Sequence, residues 1–482
     1  MRAKEQELRG HGMGPWPQDG GGTKRASRRL LACASVGLAL SGCATVDPTE
    51  DYDWAQREVA SATGEDGFYR PGEEELIAER VDELLADGLT AQESVQICLL
   101  NNGEIQTLLF EIGVRKADVV QAGLLSNPLL AGAVRLPLGS GSTTTELRLV
   151  QNLIELWHIH PRKRLAQSQL EQTVLEVAHS SANLVAQTKP AYFSATSAAA
   201  SLAAARENRD TAGAFLELTR ERQAAGAATQ VDVNAAHSES LEQQAHVRDA
   251  VYAEFEAKRK LALMLGIAGR PRDLELLDAL TEVPEWSIDL ERLVDLARAS
   301  RLDLKAAAKN VDATWSALAL EKRYLFRNVR AGISAEGEGG DVQLGPAVVL
   351  EVPIFDQNQA QISKAEFRHA QAQRRHVALE ILVDQQVRGA FEQFTLAVDT
   401  ARLYEDELLP LRRSSLELAR ESFAEGKTGF LSVLEAQSRL LRSRREYVNR
   451  LEAVAISVPA LEAACGRPLP ALRAASGGPQ DD

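Results

Sequence analysis

Residues 220–244 read RERQAAGAATQVDVNAAHSESLEQQ, and residues 420–444 read RESFAEGKTGFLSVLEAQSRLLRSR. Laid together without a gap they share Arg220/Arg420, Glu221/Glu421, Ala224/Ala424, Gly226/Gly426, Val233/Val433, Ala236/Ala436, Ser238/Ser438 and Leu241/Leu441. Ala-rich helices agree by chance in small residues. A glycine followed seven residues later by valine in both segments points instead to one unit used twice. In each copy a helix ends at the glycine, a short polar turn follows, and another long helix begins. The decisive stretch therefore predicts two antiparallel helical hairpins with tips near 226–232 and 426–435.

Upstream of each tip the parts recur in the same order. Short helical regions near 89–125 and 289–326 lead into strand-like patches. In the second copy Val329, Ala331, Ile333 and Ala335 alternate with Arg330, Gly332, Ser334 and Glu336. After a turn at 337–341, Val342, Leu344, Val348, Leu350, Val352 and Ile354 face one way, opposite Gln343, Gly345, Val349 and Glu351. This predicts a β-hairpin at about 328–354, apolar on one face and mostly polar on the other. Residues 128–153 predict a second hairpin with weaker alternation. Two hairpins cannot close a barrel, and an open strand edge cannot face lipid with its N–H and C=O groups unpaired. Either several chains share a barrel, or the hairpins form a small soluble sheet against the helices. Between Ser363 and Gly426, the residues Val387, Phe391, Phe394, Val398 and Ala401 recur at spacings of four and three, the seam of a coiled coil. Pro410 predicts a bend or break in that helix.

The composition agrees with long helices: 5% aromatic residues and 25% charged ones in 482 residues. The net charge is −14, which argues against a nucleic-acid partner. Lys24, Arg25, Arg28 and Arg29 precede an apolar run over 30–40, and Leu40-Ser41-Gly42-Cys43 follows. This is the pattern of a lipoprotein signal, with a covalent lipid on Cys43. An ordinary cleavable signal followed by a chance cysteine is the alternative. Ala44 rather than aspartate after Cys43 favours, by resemblance to bacterial lipoproteins, the outer membrane. Residues 44–75 are polar and rich in Gly and Pro, predicting an extended tether. No later segment has the roughly 18 to 20 apolar residues of a spanning helix, so any crossing of a membrane must use strands.

With these residues assembled, the chain over about 89–466 resembles the TolC-type outer-membrane efflux proteins, and in particular their lipid-anchored, NodT-like or CusC-like branch. The resemblance is carried by GPAVVLEVPIF at 345–355, by Leu409-Pro410 followed by Leu416, Ala419, Gly426, Phe430, Leu431, Val433, Leu434, Glu435, Ala436 and Gln437, and by the short helix ending in Arg301-Leu302-Asp303-Leu304. It implies a mainly α fold with a membrane β-barrel portion: a homotrimer in which each chain gives four strands to one shared barrel and its helices to a periplasmic α-barrel. It also implies a passive duct for a periplasmic adaptor and an inner-membrane pump, of resistance-nodulation-division type. In the family the hairpin tips close the tunnel, carry acidic rings and meet the adaptor. The matching positions are Glu435, Ser432 and Asp232 for the aperture, and Gly226 and Gly426 for the adaptor-contacting tips. Ser432 departs from the acidic residue often found there, which leaves Glu435 to form any ring in the second copy. A solvated helix-face carboxylate is the plain alternative for Glu435, and simple helix C-caps account equally well for the two glycines.

The expected organisation is a signal peptide (1–42), a lipidated tether (43–88), repeat one (89–288), repeat two (289–466) and a flexible tail (467–482). No Walker loop, HExxH or GxSxG is present, so no enzyme is expected, and no cofactor or metal site. His158 and His160 lack nearby ligands, which predicts a surface position at a strand-to-helix junction. Met264 is the one methionine after the signal, which supports no methionine route for copper. A lipid-anchored coiled-coil scaffold and the duct of a type I protein secretion system remain the competing readings.

Overall fold

The computed structural model describes residues 45–139, 141–269, 271–280, 289–325, 328–338, 340–468 and 470–472. The signal segment, Cys43, Gly339 and the tail beyond 472 lie outside the described residues. All helices and strands of the described residues belong to one unit that begins at Val46.

Where the sequence predicts an extended tether, the chain forms helix α1 (Thr49–Thr63), followed by α2 (Glu74–Ala86). The reason lies in the spacing of α1: Asp51, Ala55, Val59 and Thr63 recur every fourth residue and all four are buried. Ion pairs hold α1 against the rest of the chain, Asp51 with Lys116 at 2.7 Å and Glu58 with Lys305 at 2.9 Å. Arg467 donates to the Ser61 carbonyl at 3.1 Å. The helix thus straps segments that are far apart in sequence.

In the first copy, α3 (Ala91–Asn101) and α4 (Gly103–Ala122) lead into β1 (Leu129–Arg135) and β2 (Thr144–Asn152), then α5 (Glu155–Ala224) and α6 (Gln230–Met264). In the second, α7 (Leu290–Ser300) and α8 (Leu302–Glu321) lead into β3 (Val329–Glu338) and β4 (Asp341–Leu350), then α9 (Gln359–Arg402), a π-helical turn (Leu403–Leu408), α10 (Leu409–Ala424) and α11 (Phe430–Cys465). Both copies break the helix before the strands with one extended residue. Asn102 sits at φ −70°, ψ 120°, and its Oδ1 accepts from the Glu104 and Ile105 amides, restarting the helix as α4. Arg301 does the same at φ −56°, ψ 124°, its guanidinium bound to Asp303 at 2.9 Å.

Helix α5 is the spine. Its 70 residues extend about 105 Å at 1.5 Å per residue. Next to the strands it lies between α4 and α8, with α9 beyond α8, so four segments form a wall in the order α4–α5–α8–α9. Toward the tips it packs on α6 and α11 instead. The predicted seam of α9 is buried at Val387, Phe394, Val398 and Ala401, packed with Val454 and Leu461 of α11. Each of the Val, Leu and Phe side chains among them contributes about 1.5–3 kcal/mol on leaving water. At Pro410 the predicted interruption appears as the π-helical turn just upstream. The proline ring cannot coexist with a regular α-helical carbonyl at position 406, and the widened turn accommodates it.

The two hairpins are one antiparallel sheet in the order β1–β2–β3–β4, because β2 pairs with β3 over nine residues. Gly332 is required there: a Cβ at this position would lie 1.9 Å from the Leu149 carbonyl oxygen and 2.7 Å from the Val150 Cα.

Candidate functional site

The register sorts the sheet's side chains into two faces. Leu130, Leu149, Ile333 and Pro346 stand opposite one another across the four strands, and so do Gly132, Leu147, Ala335 and Leu344. With Val342, Val348 and Leu350 they make an apolar face that is largely uncovered; Ile333 is 54% exposed, Leu344 74% and Val348 70%. On the alternate positions Ala131, Arg148, Ser334 and Gly345 form one row, and Ala133, Glu146, Glu336 and Gln343 the next. Glu146 binds Arg135 of the neighbouring strand at 3.1 Å and also Arg148 two residues on in its own strand, so charges on this face neutralise each other. A soluble sheet buries its apolar face; this one presents it to the surroundings and keeps ion pairs on the other side. Both outer edges, on β1 and β4, lack a strand partner among the described residues. No helix among the described residues is long and apolar enough to cross a membrane.

At the other end lie the hairpin tips. Gly226 and Gly426 both adopt the left-handed conformation, with φ 77° and 74°. Around Gly226 the Ala227 amide donates to the Arg222 carbonyl at 2.7 Å and the Gly226 amide to the Gln223 carbonyl at 2.9 Å. The second copy repeats both bonds, Lys427 to Ser422 and Gly426 to Phe423. These are Schellman caps, and a Cβ at either glycine would meet nothing within 4 Å. Backbone conformation therefore accounts for both glycines without a tightly packed partner.

The aperture candidates separate. Asp232 belongs to a capping box: the Thr229 amide and hydroxyl both donate to its carboxylate at 2.8 Å, and Thr229 Oγ1 accepts from the Asp232 amide. Ser432, its counterpart, donates to the Gly429 carbonyl at 2.7 Å, and Gly429 has no side chain with which to cap. Glu435 is exposed and paired with Arg439 one turn on. Between the two tips, Leu216, Val233 and Ala236 pack on Leu434, and the Arg222 guanidinium lies 4.2 Å from the centre of the Phe423 ring. Removing the cap with Thr229→Ala should cost about 1 kcal/mol at the start of α6. Amide exchange there should accelerate roughly fivefold, and unchanged exchange would show that the box does not hold the tip.

One of the two histidines departs from its expected surface position. His158 is buried at the start of α5, edge-on to Tyr324 with ring centroids 4.6 Å apart. Burial lowers its pKa and keeps the ring neutral. His160 stays exposed. The strand-to-helix junction is as expected, but Tyr324, 166 residues away, supplies cover that local sequence does not reveal.

A family model described as "Outer membrane efflux protein" matches residues 139–267 and 293–467, more than half of the chain. The chain is 24% identical over 379 residues to the cobalt-zinc-cadmium resistance protein CzcC of Cupriavidus metallidurans, covering 76% of this chain and 87% of that protein. Among solved structures it is similar to the CmeC outer membrane channel of Campylobacter jejuni, with TM-score 0.65 at 14% identity over 78% of this chain and 85% of that one. It is also similar to the outer membrane protein VceC of Vibrio cholerae, with TM-score 0.64 at 16% identity over 78% and 96% of the two chains.

Proposed function

Because the chain belongs to the outer membrane efflux protein family, we propose that three copies pool their sheets into one barrel and that this barrel is the exit of a passive duct. The observation that carries this reading is the sheet itself: an uncovered apolar face, a charged face behind it, and two open edges. Four strands cannot close. Two copies would give eight strands, whose interior side chains alone fill the bore, so three copies are the smallest ring that leaves a passage. The apolar face meets lipid, the ion-paired face lines water, and β1 of each copy completes the edge of β4 in the next.

In the same reading α5, α6, α9, α10 and α11 extend the duct into the periplasm and the tips meet an adaptor fed by an inner-membrane pump. Lipid on Cys43 ties the chain to the inner leaflet close to where α1 begins at Thr49. Divalent metal ions are the cargo to test first, given the likeness to a cobalt-zinc-cadmium resistance protein. Glu435 faces the aperture with its charge damped by Arg439. Arg439→Gln should therefore raise the cation-to-anion permeability ratio of reconstituted channels about twofold. An unchanged ratio would remove Glu435 from the constriction.

The trimer is tested by cysteines along both edges, Ala131 or Ala133 with Ala347 or Val349, oxidised in outer membranes. Covalent rings of three are expected, because each copy links to the next on both sides. A ladder that ends at two copies, or no linkage at any pairing, would contradict the shared barrel.

A further inference from the structure

Between α5 and α8 runs an open groove of about 740 Å³. Two contacts fix its level. Lys309 binds Glu171 at 2.8 Å toward its lower end, and the His158–Tyr324 ring pair marks the level of the ends of β2 and β3. A third contact fixes its side. Lys305, Lys309 and Asp312 lie on one stripe of α8 at spacings of four and three, Arg323 follows two residues past the end of the helix, and Lys305 reaches Glu58 of α1. The groove therefore opens on the face of the wall that carries α1. Helices α5 and α8 are the middle pair of the wall, so a second copy docked at its margins, α4 and α9, leaves the groove open.

Its charge is uneven. Toward the sheet it is lined by His160, Arg164 and Arg323, and neither arginine has an ion-pair partner among the described residues. The acids, Glu171 and Asp312, lie toward the lower end, where Glu171 is taken by Lys309. Trp315 stands 58% exposed in the groove. Trp157, 70% exposed, lies on the same stripe of α5 as His160 and Arg164, one turn nearer the sheet. From the end of the sheet downward, an exposed indole and a guanidinium without an ion-pair partner among the described residues thus follow one another along a single stripe of α5.

We propose that the upper half of this groove binds the phosphate headgroup of an anionic phospholipid in the inner leaflet of the outer membrane. The inference rests on the reading of the sheet as membrane-spanning. Under that reading the inner-leaflet headgroups lie where β2 ends and α5 begins. Guanidinium groups hold a phosphate through paired charge-assisted hydrogen bonds, and an indole sits well at the boundary between apolar chains and water. Arg164 from α5 and Arg323 from the turn after α8 close on the ligand from both sides, so the lipid also clamps the two copies of the repeat at the foot of the sheet.

The test uses the full lipidated protein purified from outer membranes and placed in bilayer discs of phosphatidylethanolamine. In one series about 10% of the lipid is replaced by phosphatidylglycerol carrying brominated chains, and a control series carries the same bromine content on phosphatidylethanolamine. Trp315→Phe and Trp157→Phe identify the quenched indoles. The parent protein should hold phosphatidylglycerol in this groove about tenfold more tightly than phosphatidylethanolamine, a preference abolished in Arg164→Gln/Arg323→Gln and kept in Lys309→Gln. Equal preference in the parent and the double variant, or equal loss in Lys309→Gln, would overturn the proposal, the second by showing a diffuse charge effect. Competition by inorganic phosphate at equal concentration would also overturn it, since the groove would then select the free ion. Failure of the underlying membrane reading is read separately, from the accessibility of the sheet's turn to reagents outside the cell.

Discussion

Ile333→Arg should prevent the sheet from entering the outer membrane, whereas Ser334→Arg, one residue on, should leave assembly intact. Ile333 lies mid-strand on the apolar face between Leu149 and Pro346, and Ser334 lies on the charged face between Arg148 and Gly345. An arginine facing lipid near the bilayer midplane costs about 2–4 kcal/mol, and every copy in the proposed ring would bear it. The same side chain facing a water-filled bore costs little. Heat-resistant oligomer in outer-membrane fractions should fall at least tenfold for the first variant and less than twofold for the second. If the two variants behave alike, the faces do not see different solvents.

A comparably large loss is expected from Gly332→Val. The new Cβ would meet the Leu149 carbonyl oxygen at 1.9 Å, a backbone atom that cannot move aside without breaking the pairing of β2 with β3. Among the described residues that pairing is the one ladder joining the two repeats within the sheet. Loss of it leaves two separate hairpins, each with an additional open edge and each marginal by itself. The expected cost exceeds about 3 kcal/mol, and the variant chain should be degraded by periplasmic proteases with its helices formed. Gly345→Val offers the contrast, because a Cβ there meets nothing within 4 Å. Normal assembly of Gly332→Val would mean that β2 and β3 do not lie this close.

Much of the fold was legible in the sequence, for identifiable reasons. The tips are local events: a glycine in the left-handed region, a turn, and the start of a helix are written within ten residues, so Gly226 and Gly426 fall where the pattern puts them. Both predicted hairpins form, since period-two alternation and a Gly-rich turn are also local. The joining of β2 to β3 is not local; 178 residues separate Asn152 from Arg330, which pair in the ladder. Helix α1 was hidden by its polar composition. Its four buried positions carry an acid, a threonine and two small or branched apolar residues, and its hold on the protein comes from Lys116, Lys305 and Arg467. The candidate aperture residues can be read from the sequence only as positions. Nothing in the sequence says that Asp232 is spent on capping Thr229, or that Glu435 shares its charge with Arg439, because those are choices of side-chain geometry.

The position of the sheet's turn, inside or outside the cell, decides between a duct and a periplasmic scaffold, and thiol labelling of intact cells reads it directly. Gly139 lies in the turn between β1 and β2 with open space around it, and Gly426 at a helical tip is likewise unobstructed. The native Cys98 and Cys465 are buried, with burial pushing their thiols up to about 11 and about 12, so neither competes for the reagent. With a membrane-impermeant maleimide, Gly139→Cys should label on intact cells and Gly426→Cys only after the outer membrane is opened. Labelling of neither on intact cells, with both reacting once the membrane is opened, would place the sheet in the periplasm and contradict the duct.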